Sequence, residues 1–261
     1  MNNVLCIDLG STTIKLYIYN GTKDYYSIHP SGRDITLEKF KEYVNYFLGN
    51  SNITKLAGIA VSFPGVATDG KVVNSLVTIL NDVGHQFLLE LSDKIVYIND
   101  ANAVAYYMSK ENPEYNSISI LTVGTNIGFA MMCNGSLFQG ANNNAGEHSY
   151  YTLLPNGEFC QLNHLCSGST ILNLLNNGVS LENAMKQTAK YLVCLITQVH
   201  NLYDPDIIFL SGGAFRYEGF FNLVNTYLKE ISLCKIELAS NPLYAGCLGA
   251  KVYWDIYYKN K

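Results

Sequence analysis

Short apolar runs alternate with amphipathic segments of helix length along this chain. The first run, Val4 to Ile7, predicts a buried strand. A second β-rich run extends from Ile14 to Tyr19, and the Asn20-Gly21 pair after it is a strong hairpin signal. Further apolar runs predict strands at residues 25–29, 56–61, 71–73, 94–98, 150–154, 206–210 and 235–238. Periodic apolar faces predict helices at residues 36–48, 83–91, 99–108, 167–177, 180–202, 215–231 and 245–257.

The first hairpin has a counterpart further along the chain. When residues 121–135 are placed under residues 7–21 without gaps, Gly124 meets Gly10 and both segments end in Asn-Gly. Two such units indicate two related halves. Two hairpins of this kind facing one another would hold a polyphosphate. Each half continues with alternating strands and helices, which predicts an α/β fold with mixed sheets covered on both faces.

The composition of the chain argues against nucleic-acid-binding and membrane-spanning proteins. The chain has 261 residues, of which 48% are apolar and 15% charged, and its net charge is −4. This balance predicts a globular protein without the basic surface that nucleic acid requires. No apolar run reaches 18 residues, and the chain enters a strand directly after its first three residues, so we expect no membrane span, no signal peptide and a cytoplasmic location. Apolar neighbours predict that Cys6, Cys133 and Cys194 are buried thiols.

The first hairpin contains the first candidate ligand-binding residues. Asp8 breaks the apolar run, and Gly10 to Thr13 form a turn rich in small hydroxyl residues. A carboxylate beside a cluster of N–H and hydroxyl donors suits a phosphate and its metal ion. An ordinary first hairpin with Asp8 as a turn residue explains the same pattern equally well.

Three more segments place polar or glycine residues where strands end. Ser62-Phe63-Pro64-Gly65 and Ser211-Gly212-Gly213 each follow a buried strand, which is where α/β sheets bind ligands. Asn99 and Asp100 lie at a strand-to-helix junction. One of the two could serve only as the helix cap, and the residues alone favour that interpretation over an exposed carboxylate in a ligand crevice.

Taken in order, these segments resemble the ROK family of sugar kinases and their relatives, within the actin-like ATPase superfamily. The resemblance covers nearly the whole chain. Its motifs are Asp8 to Thr13, Ser62 to Gly65, Asn99 to Ala103, Gly124 to Gly128 with Asn134-Gly135, Ala145 to Glu147 and Ser211 to Gly213. Six motifs in the right order outweigh the preference for Asp100 as a cap.

The resemblance implies two actin-like (ribonuclease H-like) domains with an interdomain cleft. The first would span residues 1–112 and be completed by the C-terminal helix at about 245–261, and the second would span residues 113–244. It also implies ATP and Mg²⁺ as cofactors, a small-molecule sugar as substrate and a homodimer. Asp8 would hold Mg²⁺ through water. The residues implied to bind the nucleotide are Asp8, Gly10, Ser11, Thr12, Thr13, Gly124, Thr125, Gly212 and Gly213.

The same resemblance assigns roles at the sugar. Asp100 would be the general base that accepts the proton of the attacking hydroxyl. Asn99 would orient the sugar, and Glu147 would accept hydrogen bonds from other hydroxyls. The full set implied to contact the substrate is Ser62, Pro64, Gly65, Asn99, Asp100, Glu147, Tyr150 and Asn163.

The chain departs from the family at the sugar pocket and at the zinc loop. Tyr150 stands where the family has a histidine that serves both sugar and zinc, and Asn163 stands where a sugar-binding glutamate is usual. The usual cysteine-rich zinc loop is absent, so we expect no zinc. A rearranged site is the alternative, and its residues would be His148, Cys160, His164 and Cys166.

The altered pocket leaves three functions to weigh. The first is a hexose kinase of the glucokinase type. The second is an N-acetylhexosamine kinase, because Tyr150 and Asn163 change the hydrogen-bonding groups of the pocket. The third is a non-catalytic sugar-binding relative, against which stand Asp8, Asp100 and Glu147.

Overall fold

The computed structural model describes residues 3–53, 55–81, 83–141, 143, 145–146, 151–154, 156–229, 231 and 234–259. The chain divides into two compact units. Unit 1 comprises Met1–Glu111, Ala141–Asn143 and Leu243–Lys261, and unit 2 comprises Asn112–Gly140 and Asn144–Pro242. Each unit is built on a five-stranded mixed sheet. Within the described residues, no helix is both long and apolar enough to cross a membrane.

The sheet of unit 1 starts from the predicted first hairpin. Its strands are β1 (Val4–Leu9), β2 (Thr13–Tyr19), β3 (Asp24–Pro30), β4 (Gly58–Phe63) and β7 (Ile95–Asn99). They lie in the order β3-β2-β1-β4-β7, with antiparallel pairing from β1 to β3 and parallel pairing from β1 through β4 to β7. Between β4 and β7 a small hairpin forms from β5 (Gly65–Thr68) and β6 (Lys71–Ser75).

Both faces of this sheet are covered by helices, and every residue of β1 is buried as a consequence. Leu5, Ile7 and Leu9 face a core with Phe40 and Val44. That face is covered by α1 (Leu37–Asn50) and α2 (Val83–Leu91). The opposite face, with Val4, Cys6 and Ala60, packs on α3 (Asp100–Glu111) and α8 (Ala245–Lys259). The last helix of the chain therefore completes the core of its first unit.

Unit 2 repeats the plan. Its sheet has the order β10-β9-β8-β13-β14, with strands β8 (Ser117–Val123), β9 (Ile127–Cys133), β10 (Ser136–Leu137), β13 (Ile207–Ser211) and β14 (Lys235–Leu238). A second, two-stranded sheet joins β11 (Tyr151–Leu153) to β12 (Phe159–Gln161). The helices are α4 (Asn163–Cys166), α5 (Gly168–Asn176), α6 (Leu181–Tyr203) and α7 (Phe220–Leu228). Helix α6 supplies the largest share of the core, since Leu192, Leu195 and Ile196 are fully buried.

Several sequence predictions are confirmed and three are wrong. The strand at 235–238 and the helix at 83–91 form as expected. The helix predicted over residues 215–231 is instead a 3₁₀ turn at Gly213–Arg216 followed by α7, because Gly219 adopts a positive φ of 80° between them. Cys133 and Cys194 are exposed, whereas Cys6 is buried as predicted. Both misplaced thiols lie in elements with two different faces, and an apolar run alone does not show which face a residue occupies.

Candidate functional site

Asp8 lies at the centre of a row of three polar side chains that crosses the sheet of unit 1. Antiparallel pairing places Lys15 of β2 opposite Asp8, and parallel pairing places Ser62 of β4 opposite it. The Lys15 ammonium lies 2.6 Å from Asp8 Oδ2, and the Ser62 hydroxyl donates a 2.8 Å hydrogen bond to Asp8 Oδ1. Both carboxylate oxygens therefore have a partner, and strands on either side hold Asp8 in one orientation.

Helix α8 approaches this row closely. A Cβ atom added at Gly246 would lie 2.7 Å from Asp8 Cγ, so the helix can pack here only because residue 246 has no side chain. The Cys247 thiol donates a hydrogen bond of 3.4 Å to the carbonyl oxygen of Lys15. Asp8 is 6% exposed as a result. The first turn of α8 therefore lies directly against the carboxylate.

Lys15 is the residue of this row that the sequence predictions missed. It belongs to none of the motifs, because it lies inside a β-rich run and not in the turn. The signal was nevertheless available. In an antiparallel hairpin, residues equally distant from the turn face each other, and Asp8 and Lys15 are equally distant from the Ser11-Thr12 centre.

The turn of this hairpin is closed and anchored by backbone hydrogen bonds. Gly10 N–H donates to the Thr13 carbonyl over 2.9 Å. Ser31 holds the turn from outside, since its hydroxyl donates to the Gly10 carbonyl over 2.6 Å and its N–H donates to the Thr12 carbonyl over 3.0 Å. Thr12 is exposed at the tip. The arrangement orients small hydroxyl residues outward on a fixed backbone, which suits an oxyanion.

Asn99, and not Asp100, caps helix α3. The Asn99 Oδ1 atom accepts a 3.1 Å hydrogen bond from the N–H of Asn102, three residues along. Its Nδ2 atom donates to the carbonyl oxygen of Gly65 over 3.0 Å. The cap role that the sequence pattern could assign to either residue thus belongs to Asn99, which also ties the Ser62–Gly65 loop to the helix.

Asp100, the first residue of α3, therefore does not serve as its cap. Its Oδ1 atom accepts a hydrogen bond of 2.9 Å from the neighbouring Ala101 N–H. Burial and, to a smaller extent, the negative charge of Asp8 raise the pKa of Asp100 from 3.8 to about 6. The Ala101 N–H and the Lys15 ammonium oppose this rise. A carboxylate whose pKa lies near neutrality is suited to accept a proton.

The loop after β4 is built by close backbone packing. Ser62 is fully buried, and its hydroxyl points to Asp8. The carbonyl of Pro64 accepts a hydrogen bond of 2.9 Å from the N–H of Leu76. A Cβ atom at Gly65 would overlap the carbonyl oxygen of Asn74. The tight approach of β5 to β6 therefore requires glycine at this position.

In unit 2 the corresponding turn is bound to the start of helix α5. The carbonyl of Gly124 accepts a 2.7 Å hydrogen bond from the N–H of Gly168, and the carbonyl of Thr125 accepts one of 2.6 Å from the Ser169 hydroxyl. A Cβ atom at Gly168 would lie 2.8 Å from the Gly124 oxygen. Backbone groups and a small side chain thus hold the turn against the start of α5.

Asn163 supports the same turn from helix α4. Its Oδ1 atom accepts a hydrogen bond of 2.9 Å from the N–H of Ile127, the first residue of β9. The carbonyl of Asn163 accepts one of 3.3 Å from the Thr170 hydroxyl. The neutral side chain of Asn163 thus takes part in holding the turn.

Gly212 and Gly213 follow strand β13. Gly212 has a φ of 103°, and a Cβ atom there would lie 2.6 Å from the carbonyl oxygen of Val123. The backbone can therefore pass this close to β8 only because residue 212 has no side chain. Gly213 is exposed, and a Cβ atom there would have no neighbour within 4 Å. A ligand can approach the backbone directly at this point.

Three predicted residues, Glu147, His148 and Tyr150, lie outside the described residues. The Cys166 thiol donates to the Leu162 carbonyl over 3.1 Å in the core of unit 2, and burial raises its pKa to about 12. His164 is exposed. In the part of the chain that the structure describes, no three His, Cys, Asp or Glu side chains form a group that could hold a metal ion.

Comparison with known proteins defines the class to which this arrangement belongs. A model of the ROK family matches residues 4–162, which is more than half of the chain. The chain therefore belongs to the ROK family, as its motifs predicted.

Individual relatives are distant in sequence. A beta-glucoside kinase of Klebsiella pneumoniae is 27% identical over 192 residues, which cover 62% of this chain and 64% of that protein. Among solved structures, a ROK family protein from Streptococcus pneumoniae TIGR4 in complex with sucrose has a TM-score of 0.79 at 21% identity, covering 99% of this chain and 100% of that one. A ROK family glucokinase from Streptomyces griseus in complex with glucose and AMPPNP has a TM-score of 0.76 at 14% identity and the same coverage. These similarities show the mixed α/β, actin-like fold of ROK proteins.

Proposed function

We propose that this chain is an ATP-dependent sugar kinase that transfers the γ-phosphoryl group of ATP to a hydroxyl of a glucose-like hexose. The observation that carries the proposal is Asp100, a carboxylate at the end of β7 with a pKa near 6 and without a capping role. Asp100 is partly exposed, and carboxylates whose pKa is raised towards neutrality cluster at functional sites. The kinases among the relatives support this reaction class.

In the proposed reaction Asp100 accepts the proton of the sugar hydroxyl as the hydroxyl attacks the γ-phosphorus. Phosphoryl transfer needs positioning and charge neutralisation more than covalent help from the protein. Asn99 positions Asp100 by capping helix α3 and by holding the Gly65 carbonyl. The sugar hydroxyl must therefore lie within hydrogen-bonding distance of Asp100 in the complex.

Asp8 fits the expected Mg²⁺ site. Its carboxylate can accept hydrogen bonds from the water molecules that Mg²⁺ usually keeps, and it already neutralises one cation, the Lys15 ammonium. Mg²⁺ would neutralise charge on the phosphates. We propose that Asp8 holds it through water, with Ser62 fixing the orientation of the carboxylate.

We assign the phosphates of ATP to the two hairpin turns and its adenosine to the turn at Gly212. Ser11, Thr12 and Thr13 offer hydroxyl groups on a turn that the Gly10 N–H closes, and Gly10 adds no side chain that would keep a phosphate away. Thr125 offers its hydroxyl on the turn that α5 holds, and Gly124, whose N–H donates to the Asn126 carbonyl, adds no side chain there. Gly212 and Gly213 are proposed to flank the adenosine, because exposed backbone at Gly213 lets a planar base approach.

The sugar contacts are proposed for residues with two different roles. Glu147 and Tyr150 stay predicted direct contacts. Ser62 and Asn99 have their polar atoms engaged by protein groups, so we propose that they shape the pocket together with Pro64 and Gly65.

An N-acetylhexosamine kinase is the alternative that one observation favours. Asn163 stands in place of a glutamate, and its Oδ1 atom is committed to Ile127 N–H. The pocket then lacks one anionic acceptor for sugar hydroxyls. A substrate with an amide in place of a hydroxyl needs fewer such acceptors.

The proposal includes a cellular location and an oligomeric state. We propose a cytoplasmic location, because ATP is consumed, and a homodimer, because the resemblance to the family implies one. Light scattering on the purified chain gives its mass in solution. A mass near 29 kDa contradicts the dimer, because that is the mass of one chain.

The function is tested by ADP release from ATP and Mg²⁺ with one sugar at a time. The panel contains glucose, mannose, N-acetylglucosamine and N-acetylmannosamine. Sugar-dependent turnover by the wild type is expected, and Asp100→Asn should lower kcat by about 10²- to 10⁴-fold, the usual contribution of a general base. Nucleotide binding should survive in the variant. Near-normal turnover in Asp100→Asn contradicts the assignment of the base, and no turnover with any sugar contradicts the kinase.

A further inference from the structure

In the described part of the chain, the two five-stranded sheets have four edge strands, and three of these carry a feature that opposes pairing with another chain. Strand β7 is covered by the β5–β6 hairpin, since the Tyr97 N–H donates to the Gly70 carbonyl over 2.9 Å. Strand β10 has only two residues. Strand β14 carries the Lys235–Glu237 ion pair of 2.8 Å. Covering segments, short length and charges are the usual means by which edge strands avoid pairing.

Strand β3 is the fourth edge, and it lacks such protection along most of its length. It has seven residues, and Asp24 and Pro30 stand only at its two ends. The residues between them, at positions 25–29, include no carboxylate, lysine or arginine. Two of them, Tyr26 and Ile28, are 45% and 41% exposed. A long and uncharged edge with exposed apolar side chains is a place where another strand can add to the sheet.

The hydrogen bonds between β2 and β3 show which backbone groups of β3 point to the open edge. The Ser31 N–H, directly after β3, donates to the Thr12 carbonyl over 3.0 Å. In an antiparallel pair, residues that bond to the partner strand alternate with residues whose N–H and C=O groups point away from it. Odd-numbered residues of β3 therefore bond to β2. The residues whose N–H groups point outwards are Asp24, Tyr26 and Ile28.

These outward groups match those of the same strand in a second copy of the chain. In an antiparallel two-fold arrangement centred on Ser27, Tyr26 lies opposite Ile28 of the second copy, and every residue of β3 has a counterpart. Outward N–H groups then donate to outward carbonyls. Pro30 has no N–H and would contribute only its carbonyl. Any other two-fold register pairs fewer of the seven residues.

The side chains of β3 are also compatible with this register. Tyr26 of each copy would lie beside Ile28 of the other, and an aromatic residue beside a β-branched one stabilises a sheet. Asp24 would lie opposite Pro30, so that no like charges face each other directly. The Asp24 carboxylate accepts a hydrogen bond of 2.8 Å from the Tyr17 hydroxyl of its own chain. Self-pairing therefore leaves this charge with its present partner.

We propose that β3 pairs with β3 of a second copy of this chain about a two-fold axis at Ser27, so that the five-stranded sheets of the two copies of unit 1 join into one sheet. Both copies then use the same surface, as a two-fold interface requires. This inference supplies the interface of the homodimer named in the proposed function and rests on that part of it alone. The kinase reaction does not depend on it.

Light scattering on the full chain at several concentrations tests the interface. The wild type should have a mass near twice the 29.0 kDa of one chain. Ile28→Pro removes an N–H that does not bond to β2, so the variant should fold, with unchanged circular dichroism, and have the mass of one chain. A wild type with the mass of one chain overturns the homodimer and this interface together, and leaves the edge to a strand of another protein. An Ile28→Pro variant that folds and keeps the dimer mass overturns only the interface.

Tyr26→Lys covers the case in which Ile28→Pro fails to fold. Natural edge strands use lysine to prevent pairing, so this variant should also have the mass of one chain, and retention of the dimer overturns the interface. Val73→Lys is the matched control, because Val73 is 64% exposed and lies on β6, in a different sheet of unit 1. It should keep the dimer mass. If Val73→Lys dissociates the dimer as Tyr26→Lys does, a general effect of added charge explains the data and the proposal is overturned.

Cysteine cross-linking tests the register. The proposed axis places the two Ser27 Cα atoms about 4.5 Å apart, a separation that a disulfide can span. Under oxidation by copper–phenanthroline, Ser27→Cys should therefore give far more covalent dimer than the wild type, whose exposed Cys133 and Cys194 set the background. Tyr25→Cys is the matched control, since its two copies would lie roughly 13 Å apart along the paired strands. If Ser27→Cys cross-links no more than Tyr25→Cys, the proposal is overturned.

Discussion

Asp8 and Asp100 belong to the same unit, but their neighbouring groups give the two carboxylates different properties. Asp8 is paired on both oxygens, with the Lys15 ammonium and the Ser62 hydroxyl. Asp100 has a backbone N–H from Ala101, and burial together with the Asp8 charge raises its pKa to about 6. One carboxylate is therefore suited to hold a cation and the other to accept a proton, a division of roles that neighbours can impose on chemically identical groups.

The pKa of Asp100 predicts an acidic limb in the pH profile of the kinase. A general base must be ionised, so kcat/KM with the preferred sugar should fall as the pH drops through about 6, by about tenfold per unit below it. The measurement is kcat/KM from pH 5 to 8 with saturating ATP and Mg²⁺. A profile that stays flat down to pH 5 would show that Asp100 is not the group whose ionisation controls the reaction.

The same pKa predicts that Asp100 destabilises the fold at neutral pH. Because the folded pKa of about 6 lies above the ordinary 3.8, the native chain holds this proton more tightly than the unfolded chain. Stability therefore decreases as pH rises from about 4 to about 6 and stays reduced above that. Asp100→Asn should be more stable than the wild type by roughly 1–3 kcal/mol at pH 7.5.

Thermal unfolding at several pH values measures this difference. The advantage of Asp100→Asn should vanish towards pH 4, where the wild-type carboxyl is protonated in both states. Glu114→Gln, at an exposed position, is the control and should show no such trend. An Asp100→Asn variant that is less stable than the wild type at pH 7.5 argues against a strained carboxylate.

Secondary-structure elements position these side chains through register. Strand β1 has β2 on one side and β4 on the other, and the pairing aligns Lys15, Asp8 and Ser62 on the face that α8 covers. Helix α3 starts at Asp100 because β7 ends one residue earlier, at the cap Asn99. The site in unit 1 is thus built from strand ends and one helix start, as in other α/β sheets.

Contact between helices α3 and α8 depends on one glycine. A Cβ atom at Gly249 would overlap the backbone carbonyl of Ala103, and a backbone atom cannot move aside as a flexible side chain can. Gly249→Ala should destabilise the chain by about 1–3 kcal/mol or more through overpacking. Chemical denaturation measures the change.

Gly49→Ala is the matched control for this substitution. Gly49 lies in the last turn of α1, and a Cβ atom there would have no neighbour within 4 Å. Its replacement should be neutral or stabilise the chain by up to about 1 kcal/mol, since alanine is the better helix former. Equal losses in both variants would mean that the close approach of α8 to α3 is not what glycine 249 provides.

The chain as a whole consists of two units with separate cores. Leu5, Ile7 and Phe40 are buried in one core, and Leu192 and Ile208 in the other. The chain returns to unit 1 with α8, which covers the apolar face that Val4, Cys6 and Ala60 would otherwise expose. The candidate site residues lie at or near the ends of strands in both units, and Asp8 and Ser62 directly adjoin core residues of unit 1.

Nucleotide binding should stabilise the chain by mass action. At 100 times its Kd, ATP with Mg²⁺ contributes about 2.7 kcal/mol, which corresponds to a rise in Tm of roughly 5–10 °C for a chain of this size. Differential scanning fluorimetry with increasing ATP measures the shift. Glycerol at equal concentration is the control, and an unchanged Tm at millimolar ATP contradicts the nucleotide site.

Sequence patterns were sufficient for much of the fold and for the candidate motifs. The Asn20-Gly21 pair marked the hairpin, and the strand at 235–238 and the helix at 83–91 were predicted at their observed bounds. Prediction failed where the pattern of apolar residues alone does not determine where a helix starts or which side of an element is buried. Gly219 ended a helix that the apolar pattern continued, and the exposure of Cys133 and Cys194 depends on which face of an element meets the core.

The amino-acid sequence alone determined the family, the α/β class and the order of the phosphate, base and glycine motifs, because these depend on residue types at short spacing. Only the tertiary structure decided that Asn99 caps α3 while Asp100 stays available, and that Lys15 and Ser62 hold Asp8. Ser62 is 54 residues away from Asp8 along the chain. Such pairs meet through strand register, and register follows from the packing of whole sheets on their helices.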